Sequence, residues 1–179
     1  MVIGVITFHN ASNYGAALQA YATVEALSSM GYEAEAIDYS NKARARKYNG
    51  GYRIVSKLTK GDLIGTVKNL IAWPGVVARN YAFKNFYKKY LKTTKTAFHS
   101  TAELKDGMRN YDAVIAGSDQ IWSYKNNEND FNYLLKFVPD NRLKLSYASS
   151  FGLSEIPQGL ILNYKENLAR INYISVREK

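Results

Sequence analysis

The segment YDAVIAGSDQIW, Tyr111–Trp122, constrains this chain more than any other. Ala113, Val114, Ile115 and Ala116 form an unbroken apolar run. A half-exposed strand alternates polar and apolar residues. A continuous run suits a strand covered on both faces, which is the environment of a parallel sheet. The run stops at Gly117, and Ser118, Asp119 and Gln120 follow. Open α/β sheets place ligands at the carboxyl ends of their strands, and a glycine there lets backbone approach a ligand closely. The segment therefore reads as a core strand feeding a candidate site loop. The same residues also suit a tight turn whose Ser and Asp bond their own backbone.

The flanking pattern supports a sheet with helices on both faces. Val2–Phe8 reads as a first strand and His9–Tyr14 as a polar loop. A helix follows over about Gly15–Met30, with Ser12 or Asn13 as its N-cap and Gly31 as its stop. Its inner face is Ala17, Ala20, Val24 and Leu27, at helical spacing. Glu33–Tyr39 reads as a second strand. A strand–helix–strand unit implies a right-handed crossover and parallel pairing.

Asn41–Gly51 reads as a basic mobile loop. Asp62–Ala72 reads as a helix broken by Pro74, and Val76–Tyr90 as a separate one. Phe83, Phe86, Tyr87 and Tyr90 make an aromatic stripe on that second helix. The stripe reads as a buried face with snorkelling lysines rather than a base-stacking surface. Thr101–Arg109 reads as a short helix capped by Ser100 or Thr101. Phe131–Val138 is ambiguous between strand and helix. Strands are expected again from about Leu143 to Ala148 and over Ile171–Val176, with a helix at Leu160–Leu168 between them. The expected fold is α/β: a doubly wound, mainly parallel, Rossmann-like sheet of about five strands. It forms one domain over 1–179, with a mostly helical insertion over about 41–100.

Composition narrows the class. The hydrophobic fraction is 46%, too high for a disordered chain. No apolar run reaches about 18 residues, so no segment is expected to span a membrane. MVIGVITFHN lacks a basic n-region and reads as a strand, not a signal peptide. The chain has no cysteine, which excludes a disulfide scaffold, a thiolate nucleophile and a Cys-ligated zinc site, and is compatible with a cytosolic home. The net charge of +9 fits an anionic partner or a solvated basic surface. No nucleic-acid motif accompanies it, and no metal-ligand spacing is present.

Four polar strand ends are expected at one edge: His9–Gly15, Gly117–Gln120, Ser149–Gly152 and Arg177–Glu178. None forms a dinucleotide fingerprint or a P-loop. His9 is a candidate acid or base at a strand end, or a hydrogen-bonded structural histidine. Asp119 is a candidate to orient a base or bind a hydroxyl, or else it caps the following turn. Arg177 is the best anion ligand, since its fork matches carboxylate and phosphate, or else it makes a surface ion pair with Glu178 or another acid. Asn13 is a phosphate donor or a helix cap.

Four segments together resemble the polysaccharide pyruvyl transferase family: TFHNASNYGAALQAYA (Thr7–Ala22), YDAVIAGSDQIW, LSYASSFG (Leu145–Gly152) and ISVREK (Ile174–Lys179). The resemblance implies an amino-terminal half of a GT-B-like enzyme, the carboxy-terminal half following Lys179. It implies transfer of a pyruvyl group from phosphoenolpyruvate to a hexose of a cell-surface glycan or its lipid-linked precursor, forming a ketal. Phosphoenolpyruvate is then the donor substrate, and no other cofactor is implied. Asn13, Tyr14, Gly15, Gly117, Ser118, Gln120, Ser149, Gly152 and Arg177 would line the substrate cleft, with His9 and Asp119 as catalytic candidates. The half alone is expected to be inactive. The implied location is cytoplasmic, with at most peripheral contact at the inner face of the cell membrane. The alternatives are a sugar-nucleotide glycosyltransferase half and a non-catalytic phosphoanion-binding module.

Overall fold

A computed structural model describes residues 1–41 and 50–177. It contains a five-stranded parallel sheet in the order β2-β1-β3-β4-β5. The strands are β1 (Val2–Ile6), β2 (Glu33–Ala36), β3 (Ala113–Asp119), β4 (Leu143–Ser149) and β5 (Tyr173–Val176). The helices are α1 (Tyr14–Ser29), α2 (Gly50–Thr59), α3 (Leu63–Tyr90), α4 (Thr101–Gly107), α5 (Tyr124–Asn127) and α6 (Gln158–Ala169). This is the α/β Rossmann-like arrangement expected from the sequence.

Strand β3 lies centrally and is covered on both sides. Ala113 and Ile115 join Ile3, Val5 and the α1 residues Ala20 and Val24 in one cluster. Val114 and Ala116 join the opposite cluster with Leu104, Met108 and Tyr164, from the α4 and α6 side. Alternate residues of one strand thus feed two cores. Asn13 is the cap of α1, its Oδ1 accepting from the Ala16 N–H at 3.0 Å. Ser100 caps α4, its Oγ accepting from the Glu103 N–H, and the Glu103 carboxylate accepts in turn from the Ser100 hydroxyl and the His99 N–H.

The expected helix break at Pro74 is not found. Helix α3 runs through it from Leu63 to Tyr90. Proline removes the hydrogen bond to the carbonyl of residue 70, at a cost of about 3 kcal/mol in a helix interior. Leu70 is exposed, so water can take that carbonyl. The C-terminal half of α3 is held by packing: Phe83 lies on Tyr14, and Phe86 and Tyr90 on Tyr21. The aromatic stripe is therefore chiefly a packing face, with Phe83 buried.

Gly50 and Gly51, expected in a loop, open α2 instead. The rest of that expected loop, 42–49, lies outside the described residues, as does Glu178. Within the ambiguous segment Phe131–Val138, Phe131–Leu134 forms a short 3-10 helix, and Tyr133, Leu134, Leu135, Phe137 and Val138 are buried.

Candidate functional site

The order 2-1-3-4-5 reverses direction between β1 and β3, and doubly wound sheets bind ligands where the strand order reverses. Because every strand is parallel, the loops after β1, β3, β4 and β5 share one edge. Thr7, just past β1, is buried; its hydroxyl donates to Gln19 Oε1 at 2.9 Å and lies 3.4 Å from the Ser118 carbonyl. The first and third strand ends therefore meet.

The β3 and β4 ends are stitched together by backbone. The Asp119 carbonyl accepts from Ile121 N–H at 2.8 Å and Ser150 N–H at 3.0 Å. The Ser150 carbonyl in turn accepts from Trp122 N–H at 3.1 Å. To make this geometry Asp119 takes φ 88°, a left-handed conformation costing a non-glycine residue roughly 1–2 kcal/mol. Such strain gathers at functional sites, where surrounding contacts hold it. Gly117 is buried against the Tyr147 carbonyl, which a Cβ would approach at 3.2 Å. Gly152 has φ 60°, and a Cβ there would overlap the Gln120 side chain. Gln120 thus lies across Gly152.

Arg177 follows β5, and its N–H donates to the Ser149 carbonyl at 3.1 Å. Its guanidinium sits 3.9 Å from Asp119 Oδ1 and 3.4 Å from Ser150 Oγ, with the side chain 43% exposed. A cation, a carboxylate and a hydroxyl from three strand ends therefore meet at the edge. That set can bind an anion through Arg177 and a hydroxyl through Asp119.

The other sequence candidates are placed less uniformly. Ser149 is fully buried, its hydroxyl donating to the Ala116 carbonyl at 3.0 Å. It braces the sheet beneath the edge, and its neighbour Ser150 faces Arg177. Asn13 and Gly15 are exposed at the start of α1. Tyr14 is exposed and sets its ring on Phe83 of α3 at 5.0 Å, on the α3 side of the edge.

His9 is buried, with Nε2 3.0 Å from Asp38 Oδ1 and Nδ1 3.3 Å from the Thr7 carbonyl. Asp38 is a partner that sequence reasoning missed; it stands just past β2, and nothing local in the sequence points it at His9. The hydrogen bond from His9 holds the Asp38 carboxyl below its ordinary value, against the opposing effect of burial. Stability from such a lowered carboxylate is present above the unfolded value, 3.8, and is lost as pH falls through the folded one. Asp38 is partly exposed, so this contribution is below about 1 kcal/mol after solvent screening. Asp38→Asn is expected to melt lower than the parent at about pH 7, with a smaller difference at about pH 3, below the unfolded value. An equal difference at both pH values, by calorimetry, overturns the assignment.

Among the described residues no cluster of His, Asp and Glu could hold a metal ion. No curated protein and no solved structure matches the chain. A comparison with protein-family models matches residues 13–179 to polysaccharide pyruvyl transferase, a span that takes in all four expected strand ends except His9–Ser12. Since the match covers most of the 179 residues, the chain belongs to the polysaccharide pyruvyl transferase family.

Proposed function

We propose that the Arg177, Asp119 and Ser150 edge is the amino-terminal wall of a site that takes phosphoenolpyruvate and builds a cyclic ketal on a hexose. The observation that carries this reading is the cation–carboxylate–hydroxyl cluster at the carboxyl edge of a family member's sheet. The acceptor is a hexose in a cell-surface glycan or its lipid-linked precursor.

A proton is added to the methylene carbon of the donor, leaving electron deficiency at C2. One sugar hydroxyl adds at C2 and loses its proton. A second hydroxyl then bonds to C2 as the C2–O bond to phosphate breaks, and phosphate leaves with the electron pair. One methyl group forms, two hydroxyl protons are released, and the net proton goes to phosphate. Such chemistry needs a cation for the donor's carboxylate or phosphate and bases for the hydroxyls. In this reading Arg177 exchanges its long contact with Asp119 for the donor anion. Asp119 is then released to accept from a sugar hydroxyl. His9 is the acid or base, oriented by Asp38, and its Nδ1 gives up the 3.3 Å contact with the Thr7 carbonyl to reach substrate. The carboxy-terminal half, facing this edge, completes the site.

The test incubates the intact protein with phosphoenolpyruvate and a panel of hexosides and follows phosphate release. Release dependent on both substrates is expected, with turnover slowed in His9→Gln. No release across the panel, together with thermal protection by a UDP- or GDP-sugar and none by phosphoenolpyruvate, overturns the reading. Normal turnover in His9→Gln removes His9 from the chemistry.

A further inference from the structure

Helix α3 is apolar on two opposite sides. Phe83, against Tyr14 of α1, and Tyr87, packed on the sheet's core cluster, face inward. On the other side Leu63, Ile64, Val67, Leu70 and Ile71 recur at intervals of three and four residues, with Val77 two turns beyond Leu70, which aligns them along one stripe. These six are between 47% and 76% exposed, so the stripe is uncovered. An uninterrupted apolar band of this length is unusual on a free surface and marks an interaction face.

The charge of the sequence stretch that carries the stripe says what it fits. Fourteen of the 24 Lys and Arg residues, but one of the 15 Asp and Glu residues, lie between Tyr39 and Ala102. That stretch has a net charge of +13, and the remainder of the chain carries −4. The single acid, Asp62, caps α3 and pairs with Lys57 at 2.7 Å, so its charge is compensated. Lys60 stands exposed in the turn between α2 and α3, and Lys68 and Arg79 stand exposed on α3. A second copy meeting this face by two-fold symmetry would set these cations against one another. Among the described residues no helix is long and apolar enough to cross a membrane. An exposed apolar stripe rimmed by cations is the pattern of a helix lying in the plane of an anionic lipid surface.

We propose that α2 and α3 form a docking surface for anionic bilayers, with the apolar stripe set among the acyl-chain ends and the lysines on the headgroups. This surface lies on α3's outward side and operates whatever group the strand-end site transfers. Flotation of the intact protein with vesicles tests it without any activity readout. Binding is expected to vesicles rich in phosphatidylglycerol, to be weak on pure phosphatidylcholine, and to fall with added salt. Leu70→Glu with Ile71→Glu is expected to weaken binding at least about tenfold. Lys60→Glu with Lys68→Glu is expected to weaken it at least about fivefold per position. All four positions are exposed, so circular dichroism should show folded protein in each variant. The proposal is overturned if the parent protein fails to float with anionic vesicles, or if the Leu70 and Ile71 changes leave binding intact. It is equally overturned if light scattering finds a dimer that Ile71→Glu disperses, since the stripe then belongs to a second copy.

Discussion

Trp122→Ala is expected to lower the unfolding free energy by about 3–5 kcal/mol, the usual loss for a fully buried large aromatic. Trp122 is 1% exposed. Its indole N–H donates to the Tyr133 carbonyl at 3.1 Å, and its ring leans on Phe151 at 5.4 Å. Its own carbonyl accepts from the Tyr164 hydroxyl at 2.6 Å, and burial pushes that hydroxyl's pKa up to about 12. One residue therefore ties the β3 loop to the segment around Tyr133, to the β4 loop and to α6. Removing the ring opens a cavity and deletes the hydrogen bond to the Tyr133 carbonyl, a net loss of about 0.5–1.5 kcal/mol. Trp122→Phe keeps most of the volume and loses that hydrogen bond, so its loss should be the smaller one. Domains of this size are stable by only about 5–15 kcal/mol. Urea melts of the three proteins give the comparison. A loss under about 1 kcal/mol in Trp122→Ala would show that the surrounding aromatics close over the gap.

Much of this architecture was legible because local chemistry and tertiary context agree. Ala113–Ala116 reads as a two-faced strand and is one, since both of its faces meet helices. Asn13 reads as a cap, and the backbone at Ala16 uses it. The failures have physical causes. Proline propensity indicated a break at Pro74, but α3 is anchored near both ends, by Asp62 at its start and by the aromatic contacts with α1 toward its finish. Those contacts are between segments far apart in sequence, so no local rule contains them.

The geometry around the candidate site was legible in outline and not in detail. That the strand ends share one edge follows from parallel pairing. Which serine faces the edge does not follow. Ala148 takes φ 49°, and the β4–β5 register shifts between Ser146 and Ser149. A bulge of that kind breaks the alternation from which side-chain direction is read. Ser149 consequently bonds the Ala116 carbonyl, and Ser150 stands beside Arg177. Asp38 was hidden for a related reason. Its pairing with His9 spans 29 positions and depends on β1 and β2 lying side by side.

Arg177→Ala is expected to weaken phosphoenolpyruvate binding by the intact protein about 10- to 150-fold. Hydrogen bonds to charged groups contribute about 1.5–3 kcal/mol each, and about 1.4 kcal/mol is a factor of ten. The side chain is part-exposed and its contact with Asp119 is long, at 3.9 Å, so its value to stability is that of a surface pair, below about 1 kcal/mol. The variant should therefore melt close to the parent while losing donor affinity, and that separation distinguishes a binding residue from a structural one. Arg177→Lys retains the charge without the planar fork, and should fall between the two. Asp119→Asn provides the opposite sign. Removing the carboxylate takes the Asp119 contact away from the guanidinium, so donor affinity should hold or rise while turnover falls. Titration calorimetry with phosphoenolpyruvate reads the affinities, and phosphate release reads the turnover. An unchanged dissociation constant in Arg177→Ala takes Arg177 out of the donor site. Weakened donor binding in Asp119→Asn would mean that the carboxylate holds Arg177 in its binding orientation rather than competing for it.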